Sequence, residues 1–215
     1  MDHIAPGSAQ VAGVLLAAGG GRRLGGRAKA LLEYGGRPLV ERAAGALRDG
    51  GCAPVHVVLG AAAAAVRARA RLPGCALVDN PDWEEGMGSS LRAGLASLAG
   101  TGARAALVAL VDQPWVGAAA VARVLAAHRG AADLAAAAYG GRRGHPVLIG
   151  ADRWAAVAAS AAGDRGARAY LAGHRSELTL VDCSDVARPD DIDTPDDLAL
   201  LRAREPGADP PPVTD

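Results

Sequence analysis

The chain has 215 residues, half of them hydrophobic, which is enough for one substantial domain with a well-buried core. Aromatic residues make up only 3% and Phe is missing, so that core must be built from Ala, Val and Leu. The 23 basic side chains balance 23 acidic ones, which argues against a general nucleic-acid binder, because such proteins carry a basic excess.

Apolar strand-like runs alternate with helix-like stretches along the chain. Val11 to Ala18 reads as a first strand. Pro38 to Arg48 has helical spacing, with Pro38 at a first-turn position that suits its fixed φ and missing N–H. Val55 to Leu59 is a second strand and Ala61 to Arg71 an Ala/Arg helix. Ala76 to Val78 is a short third strand, and Ser89 to Leu98 a helix capped near Ser89. Ala105 to Val111 is a buried strand ending at Asp112-Gln113-Pro114, and Gly117 to His128 is a helix. Leu134 to Tyr139 and Pro146 to Ile149 read as strands around a turn at Gly140 to Gly144. Helices near Arg153 to Ala159 and Gly166 to Ala172, a strand at Leu178 to Val181 and a helix over Pro195 to Arg204 complete the pattern.

This alternation predicts an α/β fold, a mainly parallel sheet with helices on both faces. Ligands of such sheets sit beyond the carboxyl ends of the strands. The glycine-rich segment after the first strand and Asp112-Gln113-Pro114 should therefore open onto the same edge. A single domain is expected over 10–204, with disordered tails at 1–9 and at the Pro-rich 205–215.

Cys52, Cys75 and Cys183 are far apart and lack a C-x-x-C pair, so isolated thiols in a reducing cytoplasm are expected. No uncharged apolar run reaches the ~18 residues of a membrane span. Met1 to Gly7 lacks the basic-then-apolar order of a signal peptide.

The segment Val14 to Lys29 is the most informative. Five glycines fall within the eight residues 19–26, directly after an apolar strand. Such a loop brings backbone N–H groups close to phosphates, because no Cβ blocks the approach. Arg22, Arg23, Arg27 and Lys29 add the positive charge a polyphosphate needs. The segment is not a Walker A loop, since Lys29 is followed by Ala30, and a G-x-G-x-x-G reading from Gly19 breaks at Leu24. No acidic residue ends the second strand to take a ribose hydroxyl, which disfavours a dinucleotide-binding oxidoreductase. A plain flexible turn is the alternative reading of the loop.

Asp112, at the end of a buried strand, is placed either to hold a cation or to cap the next helix. In Pro189 to Leu198, Thr194 before Pro195 reads as a helix N-cap, and Asp196 and Asp197 suit the positive helix terminus. Asp191 or Asp193, ahead of that cap, is free to face a site. Mg²⁺ is held by one or two carboxylates, with phosphate oxygens and water completing its shell. His145 serves either an acceptor contact or the orientation of its turn. Trp83 and Trp115 either pack in the core or line a substrate pocket.

These segments together resemble the MobA-like nucleotidyltransferases, and within them the molybdenum cofactor cytidylyltransferases. The resemblance rests on Leu16-Ala17-Ala18-Gly19 with Arg23, Gly25 and Lys29, on Gly36 to Val40, and on Gly86 to Leu95. It extends through Asp112-Gln113-Pro114, Gly144 to Val147, Gly163 to Arg168 and Asp191 to Pro195. It implies three α/β/α layers with a Rossmann-like, mainly parallel sheet of the nucleotide-diphospho-sugar transferase type. It also implies transfer of a nucleotidyl group to a phosphate with release of pyrophosphate. Leu16, Ala17, Ala18, Gly19, Gly20, Gly21, Gly25, Asn80, Gly86, Ser89 and Ser90 would bind the nucleotide. Arg23 and Lys29 would neutralise the triphosphate, and Asp112 and Asp193 would hold Mg²⁺. Gln113, His145, Pro146 and Asp164 would face the acceptor.

The Leu-Ala-Ala-Gly form resembles the branch that uses CTP, with molybdopterin cofactor as acceptor. A xanthine-dehydrogenase-family apo-enzyme, or its chaperone, would receive the product. Competing expectations are a GTP-using guanylyltransferase, a sugar-phosphate nucleotidyltransferase and a non-catalytic cofactor carrier. Intact Asp112, Asp193, Arg23 and Lys29 favour catalysis, since a carrier need not keep both metal acids.

Overall fold

A computed structural model describes residues 10–203 of the chain. The expected tails at 1–9 and 205–215, and Arg204 at the expected end of the last helix, lie outside the described residues.

Nine strands and seven α-helices are formed among these residues. The strands are β1 (Val11–Ala17), β2 (Glu33–Tyr34), β3 (Arg37–Pro38), β4 (Val55–Leu59) and β5 (Cys75–Asp79), then β6 (Ala105–Leu110), β7 (Leu134–Tyr139), β8 (Arg142–Gly150) and β9 (Leu178–Asp182). The helices are α1 (Leu39–Asp49), α2 (Ala63–Arg69), α3 (Met87–Ala96), α4 (Ala118–Leu125), α5 (Trp154–Ser160), α6 (Arg168–Gly173) and α7 (Asp197–Ala203).

Seven strands form one sheet in the order β5-β4-β1-β6-β8-β7-β9. All run parallel except β8, which is antiparallel to both β6 and β7. Strand residues alternate between two apolar layers, as a side-chain period of two requires. Leu15, Val57 and Leu107 point to the layer that also contains Leu39, Leu47, Val66 and Val124 of α1, α2 and α4. Val14, Leu16, Val58, Val108 and Ile149 point to the opposite layer, with Leu91, Val157 and Leu171 of α3, α5 and α6. The result is the expected three-layer α/β/α sandwich. Among the described residues no helix is long and apolar enough to cross a membrane.

The strand order sets the site. From β1 the chain builds outward through β4 and β5, then returns to place β6 on the other flank of β1. That reversal is a topological switch point, where the loops leaving two neighbouring strands diverge and open a crevice. Leu16 pairs with Leu110 in register, so the glycine loop and Asp112 leave the sheet side by side.

Several local expectations are revised. The helix expected from Ser89 begins at Met87 and has no side-chain cap; Ser89 Oγ instead donates to Gly86 O (2.9 Å). Pro38 belongs to β3 and precedes α1 instead of opening it. Only Gly140 and Gly141 turn between β7 and β8, so Arg142 to Gly144, expected in the turn, are strand residues.

Candidate active site

The glycine loop folds back on itself at Gly21. Its φ of +62° is a left-handed conformation, and a Cβ there would lie 1.8 Å from Arg27 O. Gly21 O accepts the N–H groups of Leu24 (2.9 Å) and Gly26 (3.0 Å). The loop thus closes locally and hands the chain to Lys29, which opens a single 3-10 turn.

Lys29 Nζ donates to Asp112 Oδ2 at 2.7 Å and also to Asp193 Oδ1. Arg23 adds a longer ion pair to Asp193, 3.6 Å away. Burial alone would pull the Lys29 ammonium down, but the charges and hydrogen bonds of Asp112 and Asp193 outweigh it and raise it above 10.5. Lys29 is the only lysine among 23 basic residues. Asp112 does not cap α4, whose N-cap is Gly117, so the capping alternative falls.

Asp193 is aimed by the segment before α7. Asp197 Oδ2 accepts the N–H groups of Asp193 (2.9 Å) and Thr194 (2.7 Å) and the Thr194 hydroxyl (2.9 Å). This is a capping box with Asp in the place of Glu. The Asp193 N–H first, then the Thr194 groups, hold the Asp197 carboxyl below its ordinary value. A lowered folded-state value means the stabilisation is present above pH ~4 and is lost as pH falls through the depressed value. Asp197→Ala should cost about 1 kcal/mol, or ~2–4 °C in melting temperature at neutral pH. The difference from wild type should vanish in acid; an unchanged melting curve at neutral pH would remove Asp197 from this role.

Two connected clefts open at this edge. The smaller, of about 330 Å³, is lined by Leu16, Ala18 to Arg23, Lys29, Trp83 to Met87, Ser90, Asp112, Asp164 and Asp193. The larger, of about 690 Å³, is lined by residues of β8, the turn into α6, and Pro189 to Asp191. Leu16, Met87 and Leu110 line both and mark their junction. Loop, lysine and both acids therefore share the smaller cleft, while Gln113 and His145 face the larger one.

Other expected site residues fall elsewhere. Asp164, expected on the acceptor side, lines the smaller cleft. Gly86 is the reason: at φ +106° its bare Cα packs on this turn, and a Cβ would lie 2.5 Å from Asp164 Oδ1. Ala17 points into the apolar layer under α1, and Gly25 closes a turn away from the cleft. Asn80 is buried and donates to Ser89 Oγ (2.9 Å) and Ser90 Oγ (3.0 Å), so it positions the start of α3 without lining either cleft. Pro146 is likewise outside both linings.

Trp83 lines the smaller cleft, close over Gly20. Trp115 lines neither cleft; its indole N–H donates to Tyr34 OH (3.3 Å). Gln113 Nε2 donates to Asp191 Oδ1 (2.8 Å) and Pro189 O (3.2 Å), tying the Asp112 loop to the Asp193 loop. Arg142, Arg143 and Tyr139, which also line the larger cleft, carried no sequence motif.

The donor chemistry of the two acids suits a hard divalent cation. Both offer carboxylate oxygens, with no thiol or imidazole beside them in the lining. Among the described residues no group of three or more potential ligands gathers, so phosphate and water oxygens must complete such a shell.

The sequence is 47% identical over 198 residues to the nicotine blue oxidoreductase of Paenarthrobacter nicotinovorans, covering 89% of this chain and 96% of that protein. A crystal structure of the Mycobacterium tuberculosis Rv0371c homologue from Mycobacterium sp. strain JC1 superposes with TM-score 0.77 at 33% identity, covering 90% of this chain and 96% of that one. Rv0371c of Mycobacterium tuberculosis H37Rv, solved in complex with manganese, gives TM-score 0.75 at 30% identity, covering 89% and 97%. The family model described as the MobA-like NTP transferase domain matches residues 13–178. With its switch-point crevice, glycine loop and mainly parallel sheet, the chain belongs to the MobA-like NTP transferase family of nucleotidyltransferases.

Proposed function

We propose that the chain transfers CMP from CTP to the phosphate of molybdopterin cofactor and releases pyrophosphate. The convergence of Lys29, Asp112 and Asp193 at the end of the glycine loop, beside the junction of two clefts, carries this reading. The smaller cleft suits the nucleotide and the larger one the acceptor. An acceptor phosphate oxygen at the junction attacks the α-phosphorus. The new P–O bond forms as the bond to the β-phosphate breaks, and pyrophosphate leaves toward the loop. A phosphate is already anionic near neutral pH, so the site needs no strong base, and positioning and charge dominate.

Backbone N–H groups of Gly19 to Gly21 and the cations of Arg22 and Arg23 hold the triphosphate. Lys29 keeps the two acids together and supplies positive charge next to the leaving group. Mg²⁺ held by Asp112 and Asp193 would offset the repulsion between the two anions. Support for CTP comes from the Leu16-Ala17-Ala18-Gly19 form, which resembles the CTP-using branch.

The high identity to a protein named as an oxidoreductase supports a second reading, redox chemistry on the same nucleotide cradle. Against it, β4 ends at Leu59 and is followed by Gly60 and Ala61, so no carboxylate stands where a dinucleotide ribose would need one. One panel separates the readings. The chain is given Mg²⁺, molybdopterin cofactor and each nucleoside triphosphate in turn, and pyrophosphate is measured. In parallel it is given nicotine blue with reduced nicotinamide cofactors, and colour is followed. Pyrophosphate should appear fastest with CTP. Preference for GTP would overturn the base assignment, and colour change without pyrophosphate would replace the reaction.

A further inference from the structure

The larger cleft carries more positive charge than one reacting phosphate requires. Arg142 and Arg143 on β8, and Arg165 and Arg168 at the turn into α6, all line it and none lines the smaller cleft. Among the described residues no carboxylate forms an ion pair with any of the four. Some arginines elsewhere are paired, as Arg92 is with Glu85 (2.6 Å) and Arg188 with Asp190 (3.1 Å); what sets these four apart is that they gather in one cleft.

Two of the four, Arg143 and Arg168, are close enough for their charges to act on one another. Burial, then the charges of Arg168 and Arg175, lower the Arg143 guanidinium from its ordinary value. Half-buried His145 beside them is pushed down to about 4, by burial first and then by Arg143 and Arg168. The imidazole is therefore neutral at neutral pH and gives no relief as an acid, only ring nitrogens for hydrogen bonding. Two carboxylates also line the cleft, but Asp190 is held by Arg188 and Asp191 accepts from Gln113 (2.8 Å), so the four guanidiniums leave the wall net positive and attractive to an anion.

That wall is separate from the reaction centre. Lys29, Asp112 and Asp193 line only the smaller cleft, and the acceptor phosphate has to reach the junction at Leu16, Met87 and Leu110. The other end of the acceptor then lies among the arginines. We propose that Arg143 and Arg168 form a second anion site that holds an oxyanion or metal-oxo group at the end of the acceptor remote from its reacting phosphate. The proposal rests on the assignment of the larger cleft to the acceptor. It makes the acceptor class doubly anionic and excludes sugar phosphates whose remote end is neutral.

The test uses the full chain, with inorganic molybdate and inorganic phosphate as probes in calorimetric titrations. Saturating pyrophosphate is present throughout to fill the glycine loop. Wild type should bind an oxyanion, more weakly as salt rises, and the double variant Arg143→Ala/Arg168→Ala should lose about tenfold or more in affinity. Arg143→Lys/Arg168→Lys should retain part of it. Melting temperature and pyrophosphate affinity should match wild type in both variants, which separates charge loss from misfolding. Preference for molybdate assigns the site to a metal-oxo group, and preference for phosphate to a second phosphate. Absence of oxyanion binding in wild type, or undiminished binding in the alanine variant, overturns the site. A chain that binds oxyanions this way yet releases no pyrophosphate from any nucleotide keeps the site and loses the proposed reaction.

Discussion

Asp112→Asn should lower nucleotidyl transfer by about 10³-fold or more, with little change in stability. The substitution keeps the size of a side chain that caps no helix and whose hydrogen-bond partner is Lys29. The Lys29 ammonium keeps Asp193 as a counter-ion, so no unpaired charge is left in the partly buried site. On the proposed metal role, what is lost is one of the two carboxylates that would hold a divalent cation. Manganese binding, read by water proton relaxation without turnover, should weaken in parallel. Wild-type turnover and wild-type manganese affinity together would sink the metal assignment. Turnover lost with manganese affinity kept would move Asp112 from metal holding to the placement of Lys29.

Gly21→Ala should weaken nucleoside triphosphate binding by about 10²-fold. A left-handed backbone costs an L-residue about 1–2 kcal/mol, and the new methyl would collide with Arg27 O at 1.8 Å. Only opening the loop relieves the clash, and that breaks the bonds from Leu24 and Gly26 to Gly21 O. The neighbouring Arg22 and Arg23 are exposed, so the damage should stay local and the melting temperature should fall by only a few degrees. Gly25→Ala is the matched control: its φ is +68°, yet a methyl there meets nothing within 4 Å. Equal loss in both variants would point to backbone strain alone, and tight binding by Gly21→Ala would take the loop out of the site.

The elements most legible in the sequence were those buried on both faces. β4 and β7 match their expected bounds, and β1 and β6 each end one residue early, because continuous apolar runs admit little else. The β2–β3 hairpin was missed although Gly35-Gly36, both at positive φ, is a two-residue hairpin signal. In a chain with 29 glycines that signal does not stand out. The polar start of β8 was read as a turn, since Arg142-Arg143-Gly144 has no apolar alternation. Its strand character comes from pairing with Ala138 and Tyr139 of β7, which is a tertiary fact. The arginine wall of the larger cleft was hidden with it.

Residue type suggests Asp112 with Asp191 or Asp193, and the family resemblance narrows this to Asp193, 80 intervening positions away, but neither points to the lysine between them. Lys29 was expected on the phosphates, and only the packed loop shows how its reach is used. Asn80 and Ser89 show the opposite failure. Both are polar and next to the cleft, yet their hydrogen bonds are directed at the start of α3.

A chain with a single lysine also has a single side-chain amine. Among its side chains, a stable amide can form with an acylating reagent only at Lys29. Its 16% side-chain exposure and bound proton make the amine a poor nucleophile while both carboxylates hold it. The extent of acylation at this one position therefore reports whether that grip is closed or released, with no engineered label.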